Sequence, residues 1–302
     1  MQRRKTLGYL AAMGASPWLS PLQSLAAAQT SVMKRKIPSS GEMLPIVGVG
    51  TWQTFDVGTS PAERAPLKEV LKTLLEKGGS VIDSSPMYGR SEGVVGDLST
   101  ELGINDKLFI ATKVWTSGGQ SGIDQMNRSF SLLQRQTIDL MQIHNLVDWR
   151  THLTTLRNWK ADGKIRYLGI THYTESSYSN IEQILKTEKL DFLQINYSIV
   201  SRKVEERILP LAQDKGVAVI INQPYEGGSL FRSVRGKELP DYAKEFDCNS
   251  WGQFFLKFIL SHPAVTCVIP GTDNPKHMID NMGAGFGKLP NNEMRKRMIG
   301  EV

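Results

Sequence analysis

Eight apolar runs, each followed by a stretch long enough for a helix, predict a single (β/α)8 barrel for this 302-residue chain. Three observations carry that expectation. The runs are apolar along their length rather than alternating, as buried parallel strands are. The stretches at 61–77 and 205–215 have helix composition and run into Gly78 and Gly216, placed to end each helix. Length alone allows one domain or two. Of the 302 residues, a 28-residue leader leaves 274, about one eight-fold barrel with little over for a second domain.

The candidate strands fall in order at 46–50, 80–83, 108–113, 138–144, 165–170, 191–196, 217–221 and 266–269. A doubly wound sheet is the rival architecture, but no Gly-x-Gly-x-x-Gly opens a helix after the first run. Gly48 and Gly50 lead into Thr51, Trp52 and Gln53, while Gly283, Gly285 and Gly287 lie at the far end; both sets read as turn glycines. The segment 225–240, with Gly227, Gly228, Arg232, Arg235 and Lys237, reads as a mobile loop over the mouth.

Composition places the chain among ordinary globular proteins: 40% apolar and 22% charged residues, with a mean hydropathy of −0.26. A mainly disordered or collagen-like chain is excluded. The net charge of +6 is partly local, because Arg3, Arg4 and Lys5 supply three charges. The remaining 274 residues carry +3, with no basic stripe interleaved with aromatics, so nucleic acid is not an expected partner. Lys34, Arg35 and Lys36 read as a solvated arm.

Residues 1–28 read as an address: a basic start, a mildly apolar stretch from Leu7 to Leu25, then Ala26, Ala27 and Ala28. Paired arginines ahead of a stretch diluted by Gly, Ser and Pro resemble a twin-arginine export signal. That implies the twin-arginine translocase as a partner, cleavage after Ala28 and a periplasmic mature protein, 29–302, with no membrane attachment. A misread signal leaves the protein cytoplasmic. Cys248 and Cys267 lack metal-ligand spacing, Cys267 sits in an apolar run as a buried thiol, and a bridge between them is not favoured.

The polar residues at strand ends carry the chemistry. In such a barrel the reactive groups sit at the C-terminal ends of the strands. Asp83 ends the second run, Tyr88 follows five residues later, Lys113 ends the third and His144 the fourth. A free phenol, with a pKa of about 10, is a poor acid at neutral pH. A neighbouring ammonium favours phenolate and is expected to lower that value, while Asp83 keeps the ammonium charged. His144 can donate to the same substrate oxygen. The set is built to polarise a carbonyl while a hydride arrives from elsewhere. Of five histidines only His144 and His172 fall at strand ends, too few with Asp83 for a metal shell, so no metal is expected.

These residues lie in ordered blocks that resemble the aldo-keto reductases from about Gly41 to Gly285. The blocks are Gly48-Val-Gly-Thr-Trp52, Asp83-Ser-Ser-Pro-Met-Tyr88-Gly, Ala111-Thr-Lys113-Val-Trp115, Ile138-Asp-Leu-Met-Gln-Ile-His144-Asn145, Lys164-Ile-Arg-Tyr-Leu-Gly-Ile170, Leu193-Gln-Ile-Asn-Tyr197 and Val268-Ile-Pro-Gly-Thr272. The resemblance implies Tyr88 as general acid/base, Lys113 as its pKa-lowering neighbour, Asp83 as the lysine's partner and His144 as the carbonyl-orienting group. It also implies a nicotinamide cofactor held across the barrel mouth. Thr51, Gly271 and Thr272 fall in its cofactor blocks, and Gln194 matches the residue holding the carboxamide. Thr171 and His172 stand where the family more often has Ser-Asn. Asn222 occupies a position where an aromatic usually stacks on the nicotinamide, and Tyr225 lies near enough to compensate. Asp280 and Asn281 match the adenine-holding pair. Lys276, beside His277, supplies the positive charge that an arginine commonly gives the 2′-phosphate, and the last helix start offers free N–H groups. NADP(H) is therefore favoured over NAD(H).

Trp52, Trp115 and Trp149 follow strand ends and are expected to line the substrate pocket. The resulting expectation is a monomeric reductase of aldehydes or ketones. Two alternatives stay open: an NADP+-dependent dehydrogenase of an alcohol or sugar, and a dinucleotide-binding sensor or partner subunit with little turnover, which Asn222 favours and the intact quartet opposes.

Overall fold

The computed structural model describes residues 31–302; the leader expected at 1–28 lies outside the described residues. Two short antiparallel strands come first, β1 (Lys34–Lys36) and β2 (Met43–Pro45). Eight parallel strands follow: β3 (Val49–Gly50), β4 (Val81–Asp83), β5 (Phe109–Val114), β6 (Ile138–His144), β7 (Ile165–Thr171), β8 (Phe192–Asn196), β9 (Ala218–Asn222) and β10 (Val265–Val268). Each neighbours the next in chain order. Bridges from Val47 to Val268 and from Gly50 to Gly271 join the two edges and close the barrel.

The helices are α1 (Pro61–Glu76), α2 (Ser91–Glu101), α3 (Gly119–Leu133), α4 (Trp149–Ala161), α5 (Tyr178–Thr187), α6 (Ile208–Asp214), α7 (Ser229–Ser233), α8 (Trp251–Leu260), α9 (Pro275–Gly283) and α10 (Asn292–Ile299). Gly78 and Gly216 do end α1 and α6, with φ of 82° and 65°, where a side chain would be strained. The 225–240 segment is more ordered than a loop: a 3-10 turn at Glu226–Gly228 runs into α7. Among the described residues, no helix is long and apolar enough to cross a membrane.

The barrel interior has two zones. At the N-terminal ends Val81, Phe109, Leu140, Tyr167, Phe192 and Cys267 form an apolar floor with Ile37 and Leu44 of the hairpin segment. Period-two alternation then brings polar residues to the inward positions nearer the C-terminal ends. Asp83 follows Val81 by two residues, Lys113 follows Phe109 by four, Gln142 and His144 follow Leu140, and Gln194 follows Phe192. The closing seam is tight enough to require glycine. A Cβ on Gly50 would sit 2.9 Å from Ile269 O, across that seam.

In the basic run 34–36, Lys34 and Lys36 are exposed as expected, but Arg35 is not free in solvent. Arg35 turns under the barrel and donates to the carbonyls of Leu260, His262 and Val265, so it satisfies the open C-terminal end of α8. The hairpin thereby becomes a plug. Both cysteines are free and buried.

The mouth is braced from outside by Glu92, buried in the first turn of α2. Its carboxylate accepts from Thr112 Oγ1 on β5 and, at 3.0 Å, from Ser129 Oγ on α3. Burial pushes this carboxyl above its ordinary pKa, against the two hydroxyl donors. The strand carrying Lys113 and the helix following Tyr88 are thus fastened together. Close approach of α2 to α3 depends on Gly96, where a Cβ would lie 2.0 Å from Leu132 O. Gly96→Ala gains about 1 kcal/mol of helix propensity. Forcing the backbones apart costs roughly 1–3 kcal/mol, so the contact decides the sign. A lower melting temperature is expected in a thermal scan; a rise would contradict this packing.

Candidate active site

A cavity of about 520 Å³ opens at the C-terminal end of the barrel. Asp83, at the end of β4, lies at its base. Asp83 Oδ2 accepts from Lys113 Nζ at 2.7 Å, while Oδ1 accepts from Gln194 Nε2 at 2.7 Å and from Gln142 Nε2 at 3.2 Å. Lys113 Nζ also donates to Ser84 O at 2.6 Å. Thr51 Oγ1 donates to Asp83 O and Ser84 Oγ, binding the loop after β3 to the end of β4.

Burial alone would push the Lys113 ammonium down. Asp83 and the Tyr88 phenol outweigh it and hold the ammonium above its ordinary value, so it stays charged. Lys113 Nζ lies 4.8 Å from the centroid of the Tyr88 ring. The expectation that this ammonium brings the phenol below its ordinary value is corrected. Burial is the larger effect and raises Tyr88; Lys113 pulls it back only in part, and Asp83 adds to the rise. The phenol is therefore fully protonated at neutral pH.

His144, at the end of β6, meets Tyr88 edge-on with ring centroids 5.8 Å apart and planes at 85°. Burial first, then the charges of Lys113 and His172, lower its pKa to about 3. It is a neutral imidazole, able to donate or accept a hydrogen bond without bringing a charge.

The other expected residues divide. Thr171 Oγ1 donates to Gln194 Oε1 at 3.0 Å, and both line the cavity. Asn222 and Gly271 line it too. Asn222 Nδ2 donates to His172 O, leaving its Oδ1 buried without a partner. His172, by contrast, spends its ring on its own turn. Nδ1 accepts from the Tyr173 and Thr174 amides, and Nε2 meets Ser177 Oγ at 2.8 Å. Thr272 is buried and holds the Asn274 turn that caps α9. Lys276 and His277 are exposed on the first turn of α9. Asp280 and Asn281 turn inward: Asp280 accepts from Ser250 Oγ and Gln253 Nε2, and Asn281 Oδ1 from Tyr225 OH at 2.6 Å.

Of the three tryptophans, Trp52 stands 51% exposed on the cavity rim. Trp115, 41% exposed, has its ring 6.4 Å from the His144 imidazole but is not among the residues that line the cavity. Trp149 does not line the cavity; it opens α4, half-buried against the core with Arg150 over its ring. Met87, Tyr173 and Phe231 complete an apolar rim in its place. Lys237, in the segment over the mouth, donates to Glu301 O at 3.0 Å.

Sequence reasoning missed Gln142, Ser85 and Asn145. Gln142 is a polar residue at an inward position two before His144, which is a readable signal. Ser85 had none beyond its place between Asp83 and Tyr88. Asn145 lines the cavity with a left-handed φ of 53°, a conformation set by tertiary contacts.

The His144 value has a consequence for stability. Between about pH 6.5 and about pH 3 the unfolded chain binds a proton that the folded histidine refuses. Stability is expected to fall as pH drops through that window. The fall should be shallower in His144→Gln, measured by urea unfolding near neutrality and at about pH 4.5. Equal pH dependence in the two proteins would contradict a neutral imidazole.

Comparison with known proteins agrees with the site. A model of the aldo/keto reductase family matches residues 46–297. The methylglyoxal reductase YeaE of Escherichia coli is 26% identical over 245 residues, covering 78% of this chain and 84% of that protein. An NADH-specific methylglyoxal reductase of the same organism is 28% identical over 246 residues, covering 70% and 73%. A Klebsiella pneumoniae aldo/keto reductase solved with NADP and acetate superposes with a TM-score of 0.74 at 22% identity, covering 88% and 94%. With its barrel, its buried lysine–aspartate pair and a family match over most of its length, the chain belongs to the aldo/keto reductase family, oxidoreductases that act on carbonyl groups with a nicotinamide cofactor.

Proposed function

We propose that the protein reduces uncharged aldehydes or ketones with NADPH, with Tyr88 as the acid. The observation that carries this reading is the buried Lys113 ammonium, held by Asp83 and set 4.8 Å from the Tyr88 ring. The residues present fit a nicotinamide dinucleotide. Asn222 Oδ1 is a buried acceptor without a partner at the cavity wall, matched to a carboxamide N–H. Gly227 and Gly228, where a Cβ would meet nothing within 4 Å, leave backbone open along the same cavity. When bound, the dinucleotide supplies the hydride.

The side chains supply the rest. Tyr88 O–H gives its proton to the carbonyl oxygen, and Lys113 stabilises the phenolate that remains. Asp83, with Gln142 and Gln194 on its second oxygen, keeps that lysine in place and charged. Neutral His144 hydrogen-bonds the carbonyl oxygen without competing for the proton. Among the described residues that line the cavity, the one carboxyl is Asp83, already paired with Lys113, and no lysine or arginine joins it, so the mouth suits an uncharged substrate. The two methylglyoxal-reducing relatives make small dicarbonyls the first compounds to assay. Lys276 on the first turn of α9 supports NADPH over NADH, while the NADH-specific relative makes both worth titrating.

A dinucleotide-binding subunit with little turnover is the second reading. It is favoured by the ring of His172 being turned away from the cavity and by an asparagine, not an aromatic, at 222. Fluorescence titration of NADPH and NADH, followed by a carbonyl panel, separates the two. Tyr88→Phe is expected to lower kcat by about 10²–10⁴-fold with dinucleotide binding retained. Binding without turnover, the same in wild type and Tyr88→Phe, would establish the second reading; binding of neither dinucleotide would remove both.

The leader is proposed as a twin-arginine signal carrying a folded, cofactor-loaded protein to the periplasm. Arg3→Lys with Arg4→Lys is expected to hold the precursor inside the cell, as read by fractionation. Unchanged export would argue against that route.

A further inference from the structure

Ser85 lies two residues beyond Asp83 in the turn that leads from β4 to Tyr88, and its side chain is fully buried. Its Oγ has two polar neighbours among the described residues. The Met87 amide donates to it at 3.4 Å, and His144 Nδ1 lies 3.1 Å away. An amide N–H can only donate, whereas a hydroxyl has one proton and two lone pairs. With Met87 on a lone pair, Nδ1 is the one acceptor within reach of the Ser85 proton. The opposite arrangement, Nδ1–H donating to Oγ, would bury the Ser85 proton with no acceptor, an unfavourable state for a desolvated donor.

We propose that Ser85 is a positioning residue: its hydroxyl donates to His144 Nδ1 and so holds the ring hydrogen on Nε2, the nitrogen left to meet a substrate oxygen. The consequence for turnover rests on the carbonyl-reduction reading above; the tautomer itself does not. The chemical stake is the sign of one contact. With hydrogen on Nε2, the neutral ring donates to the carbonyl oxygen that Tyr88 protonates. With hydrogen on Nδ1, a ring lone pair would face the lone pairs of that oxygen and push it out of line. Since burial beside Lys113 keeps the ring uncharged, no second proton is present to make both nitrogens donors. The choice of tautomer therefore falls to the group at Nδ1.

Long-range ¹H–¹⁵N correlation spectra of the purified protein, with the His144 signals assigned by their loss in His144→Gln, read the tautomer directly. The wild type is expected to show hydrogen on Nε2 and an unprotonated, hydrogen-bonded Nδ1. Ser85→Ala should lose that pattern, and Ser85→Thr, which keeps the hydroxyl, should retain it. By analogy with groups that orient a histidine elsewhere, kcat in Ser85→Ala should fall about tenfold or more. The dinucleotide dissociation constant should not move, and Ser85→Thr should recover kcat. Hydrogen on Nδ1 in the wild type would overturn the proposal, as would an unchanged tautomer and kcat in Ser85→Ala. A Ser85-dependent tautomer in a protein that reduces no carbonyl would leave the assignment standing and remove the reductase reading instead.

Discussion

Two opposite charges, on Lys113 and Asp83, sit at the centre of the barrel with side-chain exposures of 0% and 3%. Removing such charges from water costs several kcal/mol each after relaxation. The pair persists only because its remaining valences are filled. Gln142 and Gln194 take the second carboxylate oxygen, and Ser84 O takes another ammonium hydrogen. Thr51 then secures the backbone at the end of β4. Five strands therefore contribute to one salt bridge: β4, β5, β6 and β8 directly, and β3 through the turn after it. A change in the register of any of these strands by one residue would turn its polar group to the outer face.

The same constraint explains the division of the interior. Charged groups at the mouth are tolerable only above a floor that excludes water, and Phe109, Tyr167 and Phe192 with the hairpin plug supply it. The plug is itself held by a charge, since Arg35 satisfies carbonyls at the end of α8. Arg35 thus completes a backbone end that regular structure leaves open. Lys257 shows the pattern again on α8, donating to the carbonyls of Phe246, Phe286 and Lys288, with burial lowering its pKa to about 8.

Strand positions were legible because burial on both faces writes continuous apolar runs, and seven of the eight expected runs agree with the strands to within one residue at each end. The quartet was legible because a charged or titratable residue closing such a run is conspicuous. His144 and His172 show where legibility stops. Each lies at a strand end, and from sequence they are equivalent. What separates them is the next few residues: Thr174 and Ser177 offer His172 local partners within its own turn, and side-chain hydrogen bonds of that kind outcompete an exposed role at the mouth. The partners of Asp280 and Asn281 were not legible for a related reason, because Ser250, Gln253 and Tyr225 come from distant segments. Arg35 read as solvated since three consecutive basic residues carry no signal that one of them turns under the fold.

The acidity of Tyr88 is where burial and charge act against each other. Burial holds the phenol protonated, the form that the proposed reduction requires of it, yet in that reaction each unit of raised pKa adds about 1.36 kcal/mol to the cost of delivery. Lys113 matters more after the proton has left than before. Its charge is fixed in place by Asp83, so stabilising the phenolate requires no movement of the ammonium and no entry of water. Removing the carboxylate would then harm the reaction twice, by allowing the lysine to lose its proton and by releasing it from its position. On the proposed reading, that makes Asp83, which need not touch the substrate, as necessary to proton transfer as Tyr88 itself.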